Sequence, residues 1–255
     1  MAKKTALITG GSTGIGKQIA YSFAKAGVNT VINYRKSEEE ALLLARNLTE
    51  SYGTRNIALA GDVSIYNNCS KLVEQALEEF GSIEIFVHNA GPYIHERKRM
   101  GEYSLEEWKY LIDGNLNSMF YLSSMLLPIM REQRWGRVIT IGYDRVETVP
   151  GWIYRSAFAA AKAGLASLTR TVALEEADHG ITSNMVCPGD IVSQWKEKDI
   201  ASAVNEIDKA SPVGRPGTGE DIARVISFLA DEKSDFLTGG IIPVTGGKDV
   251  LGKAR

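Results

Sequence analysis

The stretch Thr9-Gly10-Gly11-Ser12-Thr13-Gly14-Ile15-Gly16 decides the fold. Residues 4–8 before it, Lys-Thr-Ala-Leu-Ile, have the short apolar and β-branched character of a buried strand. Residues 17–27 after it carry apolar side chains at helical spacing: Ile19, Ala20, Phe23 and Ala24. The unit reads as strand, glycine turn, helix. Glycines at 10, 14 and 16 let the backbone turn sharply and approach a ligand closely, and the unpaired amides of a helix N-terminus then point at it. A dinucleotide diphosphate suits such a cluster of amides, held by Gly10, Ser12, Thr13, Gly14, Ile15 and Gly16. The spacing G-x-x-x-G-x-G differs from the commoner G-x-G-x-x-G, and a glycine turn alone is also compatible with a plain tight turn.

Outward from the turn the pattern repeats. Strands are expected at 28–34, 57–60, 83–87, 137–141, 182–187 and 241–244. Helices are expected between them. One opens at the capping box Ser37-Glu38-Glu39-Glu40 and ends near Gly53, one covers 64–80, and one runs unbroken from the capping box Ser104-Leu105-Glu106-Glu107 to about Met130. Another follows Pro150 and Gly151 to about Asp178, and a last one covers 220–230, entered through Thr218. Strands alternating with helices imply one doubly wound parallel sheet of about seven strands with helices on both faces, and ligands at the carboxyl ends of the strands. The segments 119–130 and 158–174 are apolar over more than one stripe, through Phe120, Leu122, Met125 and Leu126 and through Ala159, Leu165, Leu168 and Val172. One face is left over after packing on the sheet, and a second copy of the chain is its expected cover.

In such a sheet an acidic residue ends the second strand when the ribose carries a 2′-hydroxyl, and an arginine when it carries a phosphate. Here the strand ends Asn33-Tyr34-Arg35-Lys36. Arg35 and Lys36 can pair with a 2′-phosphate, so NADP(H) is favoured over NAD(H). Two solvated surface cations are the plainer alternative. Asp62, in Gly61-Asp62-Val63, can accept from an adenine amino group or can precede the helix start at Ser64. Asn89-Ala90-Gly91 is placed along the ribose and diphosphate. Pro188, Gly189, Ile191 and Ser193 are placed at the nicotinamide end.

These motifs, with Asn115, Lys162 in Ala159-Ala160-Ala161-Lys162, and the closing Val244-Thr245-Gly246-Gly247, resemble the short-chain dehydrogenase/reductase family over nearly the whole chain. Asn33-Tyr34, Ala161-Lys162-Ala163-Gly164-Leu165, Gly180-Ile181-Thr182 and Pro212-Val213-Gly214-Arg215 are most similar to its 3-oxoacyl-[acyl-carrier-protein] reductase-like branch. The resemblance implies a single Rossmann-type domain over 1–255, hydride transfer with a nicotinamide cofactor, a small-molecule or acyl-thioester substrate, and commonly a homotetramer. It assigns Asn115 to holding a water near the lysine and Lys162 to the cofactor ribose. It also exposes a departure. The family's proton-donating tyrosine, four residues before the lysine, is Phe158 here, and the serine that binds the substrate carbonyl aligns with Tyr143. A positioned general acid is worth roughly 10² to 10⁴ in rate, so the change is chemically large. Tyr143 is the better replacement donor, with an aromatic wall as its alternative role. Tyr154 shares a helical face with Phe158 and Lys162 at spacings of four, but sits about 12 Å along the axis from the lysine.

Asn115 follows Gly114 within a helix, two poor helix formers together, and such violations of local propensity tend to mark function. Glu96-Arg97-Lys98-Arg99 can meet an acidic carrier or can be a solvated charge run. The formal charge of −2, with both signs interspersed, gives no field for nucleic acid. Cys69 and Cys187 are too few for a disulfide framework, His88, His95 and His179 lack metal-ligand spacing, and no apolar run reaches a membrane span. A soluble cytoplasmic protein without membrane or nucleic-acid partners is expected. Two functions fit: an NADP(H)-dependent oxidoreductase with an atypical site, or a catalytically impaired nucleotide-binding relative acting as sensor or partner subunit.

Overall fold

The computed structural model describes residues 3–248. Seven parallel strands form one sheet: β1 (Thr5–Ile8), β2 (Asn29–Tyr34), β3 (Asn56–Ala60), β4 (Ile85–His88), β5 (Gly136–Ile141), β6 (Ile181–Pro188) and β7 (Ile241–Val244). Their order is β3-β2-β1-β4-β5-β6-β7, with Ile8 paired to Ile32 on one side and Val87 on the other. The chain winds outward from β1 to β3, then crosses back to β4. At that reversal the loops leaving β1 and β4 part and open a crevice.

Helices α1 (Gly14–Lys25), α2 (Glu38–Tyr52) and α7 (Gly219–Ala230) accompany one face, and α3 (Tyr66–Phe80), α5 (Ser118–Gln133) and α6 (Ser156–Glu175) the other; α4 (Leu105–Ile112) leads into α5. Strand periodicity sorts the core. Ile8 and Ile32 pack with Ile19, Phe23, Leu44 and Ile226, while their neighbours Leu7 and Val31 pack with Leu72, Phe86, Leu122 and Leu165. Both faces of the central strands are therefore dry, which is why these strands read as continuous apolar runs.

Four expectations are corrected in detail. The single helix from Ser104 to Met130 is α4, a π-helical turn over Asp113–Asn117, and α5. Pro92 causes the break: a Cβ on Gly114 would lie 2.4 Å from Pro92 Cδ, and Asn115 Nδ2 donates to Pro92 O (2.9 Å) as well as to Leu111 O (3.0 Å). Ser37 does flank α2, but its hydroxyl meets Ser12 Oγ at 2.6 Å rather than capping the helix. The third helix starts at Tyr66, because Asp62 Oδ1 holds both the amide and hydroxyl of Ser64 in a turn. Finally, α6 starts at Ser156. Tyr154 lies outside it at φ 64°, so it shares no helical face with Phe158 and Lys162.

The Thr218 cap is present. Its buried hydroxyl accepts from Asp221 N (3.3 Å), and Arg215 reaches both Asp221 oxygens at 2.8 and 2.7 Å. Thr218→Ala leaves that amide without its acceptor and is expected to cost about 1–2 kcal/mol, read as a lower urea midpoint at unchanged m-value.

Candidate functional site

Polar groups tie the β1 and β4 loops together. Thr9 Oγ1 accepts from the amides of Asn89 (3.0 Å) and Ala90 (2.9 Å), and Asn89 Nδ2 donates to the carbonyls of Thr9 (2.9 Å) and Gly10 (3.0 Å). Asn33, at the end of β2, donates to Gly61 O (3.0 Å) and accepts from Gly10 N (3.3 Å), locking the β2 and β3 ends to the turn. Over this frame lies a cavity of about 560 Å³. Gly10, Ser12, Thr13, Gly14, Ile15, Tyr34, Arg35, Lys36, Asp62, Val63, Asn89, Ala90 and Gly91 all line it. Gly10 and Gly14 take φ 59°, a conformation that costs glycine little.

Gly16 serves the site from beneath. A Cβ there would stand 2.2 Å from Gly10 O, so its role is close packing of helix against turn. Gly189 and Ile191 line a separate cavity of about 210 Å³ beside Asp208, Arg215 and Lys248. Ser193, at φ 46°, borders a recess on the outer side of Thr13 and Gly14. There Glu197 accepts from Gly14 N (2.8 Å) and Lys17 Nζ (2.9 Å), a carboxylate of the chain itself at the positive end of α1. Sequence reasoning overlooked Asn33, Ser37, Tyr110 and Lys196, which also line the larger cavity. Asn33 alone carried a signal, being a poor strand former on a buried strand.

Behind Ile141, which lines the cavity, Lys162 is 3% exposed and donates through Nζ to Ile141 O at 2.8 Å. Burial pulls its ammonium down to about 8. Gly91 lets Asn115 and Lys162 converge: a Cβ there would be 2.3 Å from Asn115 Oδ1 and 3.3 Å from Lys162 Nζ. Asn115 is fully buried, and its Oδ1 has no hydrogen-bond donor among the described residues. A buried acceptor without a donor, beside a buried lysine, is a group that a ligand or an ordered water would satisfy.

His88, which looked isolated in the sequence, lies under this pair. Ser118 Oγ donates to Gly114 O (2.9 Å), so the imidazole must donate through Nε2 to Ser118 Oγ (2.7 Å). Burial first, and the Lys162 charge second, hold the ring down to about 3, so it is neutral at physiological pH. Cys187, pushed up to about 12 by burial, stays a thiol.

Phe158 stands one helical turn before Lys162, its ring centroid 5.8 Å from Nζ. Tyr143, 5% exposed, packs its ring against Trp152 (5.0 Å) and Phe158 (6.3 Å), and its O–H has no partner among the described residues. Burial raises its phenol above the ordinary value. It keeps its proton at neutral pH and is better suited to donate a hydrogen bond than to surrender a proton. No group of metal-ligating side chains occurs among the described residues.

Fold and site together define a doubly wound, Rossmann-like α/β protein with a crevice at the strand-order reversal and a buried lysine and asparagine behind it. The profile of the family described as enoyl-(acyl carrier protein) reductase matches residues 10–249, and the chain belongs to the short-chain dehydrogenase/reductase family of oxidoreductases. It is 47% identical over 249 residues to YtkK of Bacillus subtilis (strain 168), named provisionally as an oxidoreductase, covering 97% of each chain. It is 32% identical over 244 residues to the 3-oxoacyl-[acyl-carrier-protein] reductase FabG of Staphylococcus epidermidis, covering 96% of this chain and 98% of the relative. A solved structure from Bacillus thuringiensis, described provisionally as a 3-oxoacyl-reductase, superposes with a TM-score of 0.91 at 43% identity, over 98% of this chain and 100% of the other. The acetoin dehydrogenase YohF of Salmonella typhimurium superposes with a TM-score of 0.87 at 25% identity, over 100% of this chain and 98% of the other.

Proposed function

We propose that the protein is an NADP(H)-dependent reductase of a carbonyl or activated double bond, 3-oxoacyl-thioester-like in scope, with an atypical proton-transfer site. The observation that carries this reading is one cavity that runs from the glycine turn to Ile141, the residue whose carbonyl accepts from Lys162. One end of the cavity is lined by the Ser12 and Ser37 hydroxyls with Arg35 and Lys36, and Ile141 links the other end to the lysine. A reduced nicotinamide supplies hydride when bound, and the residues named do the rest. Arg35 and Lys36 hold the 2′-phosphate, Arg35 being steadied by Asp62 (3.5 Å) and by the Tyr110 hydroxyl and ring. The α1 turn holds the diphosphate, Lys162 holds the ribose, and Asn115 orders a water beside it. Tyr143 hydrogen-bonds the substrate oxygen. Pro188, Gly189, Ile191 and Ser193 end or follow β6 at its carboxyl end, the nicotinamide end in this reading.

Exposed Phe120 and Leu174 on α5 and α6 support assembly through these helices, a homotetramer being the form we assign. Both cysteines are free and buried, in keeping with a reducing cytoplasm, and no helix among the described residues is long and apolar enough to cross a membrane.

Titration of cofactor fluorescence tests this reading. NADPH is expected to bind more tightly than NADH. Arg35→Ala and Lys36→Ala are each expected to weaken NADPH by about tenfold, the worth of one charge-assisted contact, and NADH by less than about twofold. Binding of neither dinucleotide at millimolar concentration ends the proposal. Binding without oxidation across ketones, enoyl and 3-oxoacyl thioesters and quinones, with turnover restored by Phe158→Tyr, turns the protein into the sensor or partner subunit instead.

A further inference from the structure

Arg35, Lys36, Asp62 and Lys196 are the charged residues among those lining the cavity over the glycine turn. The first three end or follow β2 and β3; Lys196 comes from the short 3-10 helix Ser193–Glu197 beyond β6. Glycines seat its backbone. A Cβ on Gly219, the first residue of α7, would stand 2.0 Å from Lys196 O, and one on Gly14, the first residue of α1, 3.9 Å from Lys196 Cβ. The segment therefore crosses the starts of both helices as a strap. Glu197 fastens it: its carboxylate accepts from Gly14 N (2.8 Å) and Lys17 Nζ (2.9 Å), and its carbonyl from Gln18 Nε2 (2.7 Å). On the α7 side, Lys198 O accepts from Glu220 N (3.4 Å), and the Glu220 carboxylate accepts from Ile200 N (2.6 Å). Trp195 packs on the core face that α1 and α7 cover.

Charge decides what this strap can do. The start of α1 attracts a diphosphate through its unpaired amides and its dipole. Glu197 occupies one of those amides, adds a negative charge beside it and engages Lys17, the nearest cation on the helix. An anion arriving at the turn therefore needs a further cation to offset that carboxylate. Arg35 lies at the β2 end, held by Asp62 at 3.5 Å and by Tyr110. Lys196 stands at the Gly14 end, and its ammonium has no hydrogen-bond or ion-pair partner among the described residues.

We propose that Lys196 is a diphosphate ligand, presented at the glycine turn by a strap that Glu197 anchors on α1. The assignment rests on the dinucleotide reading above and divides the work within it. Arg35 and Lys36 recognise the 2′-phosphate, whereas Lys196 recognises the diphosphate, which NADPH and NADH share. The ammonium is a compact charge on a flexible stem, so it follows the bound anion while its backbone stays fixed. Glu197 touches no ligand in this scheme and is a positioning residue.

Calorimetry separates the two roles with ADP-ribose, which has the diphosphate and no 2′-phosphate, and with 2′-AMP, which has the reverse; NADPH is titrated by its fluorescence. Lys196→Ala is expected to weaken ADP-ribose and NADPH by about tenfold, the worth of one charge-assisted contact, and 2′-AMP by less than about twofold. Arg35→Ala is the counterpart, weakening 2′-AMP and NADPH by about tenfold and ADP-ribose by less than about twofold. Lys196→Arg keeps the cation and is expected to hold ADP-ribose within about threefold of wild type. In Glu197→Ala the strap is unfastened, so adding Lys196→Ala is expected to cost ADP-ribose less than about threefold, a coupling that independent structural damage does not produce. In a protein that binds NADPH, the inference alone is overturned by ADP-ribose affinity indifferent to Lys196→Ala, by equal losses for ADP-ribose and 2′-AMP, or by the full tenfold loss persisting in Glu197→Ala. Absence of NADPH binding to the wild type overturns it together with the dinucleotide reading.

Discussion

Lys162→Met is expected to lower reductase turnover by about 10²- to 10⁴-fold while leaving the apoprotein no less stable at pH 7. The two effects have one cause. Lys162 is buried and its ammonium is drawn down to about 8 from an ordinary 10.5, so the fold disfavours the charged form. Each unit is worth about 1.4 kcal/mol, and the penalty at pH 7 is therefore about 3 kcal/mol. Against it stands the loss of the bond to Ile141 O, about 1–3 kcal/mol for an acceptor left buried and unpaired. The sign with pH follows from proton counts. Between about 8 and 10.5 the unfolded chain binds more protons at this site than the folded one, so the lysine's contribution to stability improves as pH rises through that window. Below it the penalty is present in full.

Thermal unfolding of wild type and variant should therefore show the wild type gaining on Lys162→Met between pH 8 and 10. The rate behaves oppositely: the wild-type kcat/KM falls as pH rises through about 8, because the ammonium is the form that donates. A variant that unfolds well below wild type at pH 7, or that keeps its turnover, would show that the residue is structural.

The second large effect concerns Gly16. Its missing side chain leaves room for backbone, since a Cβ would meet Gly10 O at 2.2 Å, Asn89 Nδ2 at 2.8 Å and Gly11 Cα at 2.9 Å. Backbone cannot swing aside as a flexible side chain can. In Gly16→Ala the turn must open, at a cost of about 1–3 kcal/mol in overpacking, and the amides that converge on an anion spread apart. Cofactor affinity is expected to fall at least about tenfold alongside the loss of stability. Gly53→Ala is the control. That glycine has φ 63° but no neighbour within 4 Å of an added Cβ, so it loses stability through strain alone and keeps its cofactor affinity. Equal binding by the two variants would place the ligand elsewhere.

Much of this site is legible in sequence for a local reason. A glycine turn between strand and helix, an asparagine in mid-helix and a lysine among alanines each break a propensity rule within a few residues, and a reader who knows the rule sees the breach. Gly14, Asn115 and Lys162 stand out in that way. Asn115 shows the limit as well: the breach at Gly114-Asn115 is visible, but its structural form, a π turn moulded on Pro92, depends on a residue over twenty positions away. His88 gave no local sign, because it ends β4 and its partner Ser118 opens α5, 30 residues further on. Tyr154 was misplaced by extending the α6 period backwards through a loop with no regular period.

By itself the sequence determined the alternation of strands and helices, the parallel sheet, the position of the glycine turn and a phenylalanine four residues before Lys162. These are matters of periodicity, backbone freedom and residue identity, all read within short windows. Tertiary structure alone decided which distant groups meet: Thr9 with Asn89, Glu197 with the first amide of α1, Ser12 with Ser37, and Tyr93 with Phe158. Such pairings follow from the order in which strands are laid side by side and from the shape of the loops between them. That information is spread over the whole chain, so no short stretch contains it.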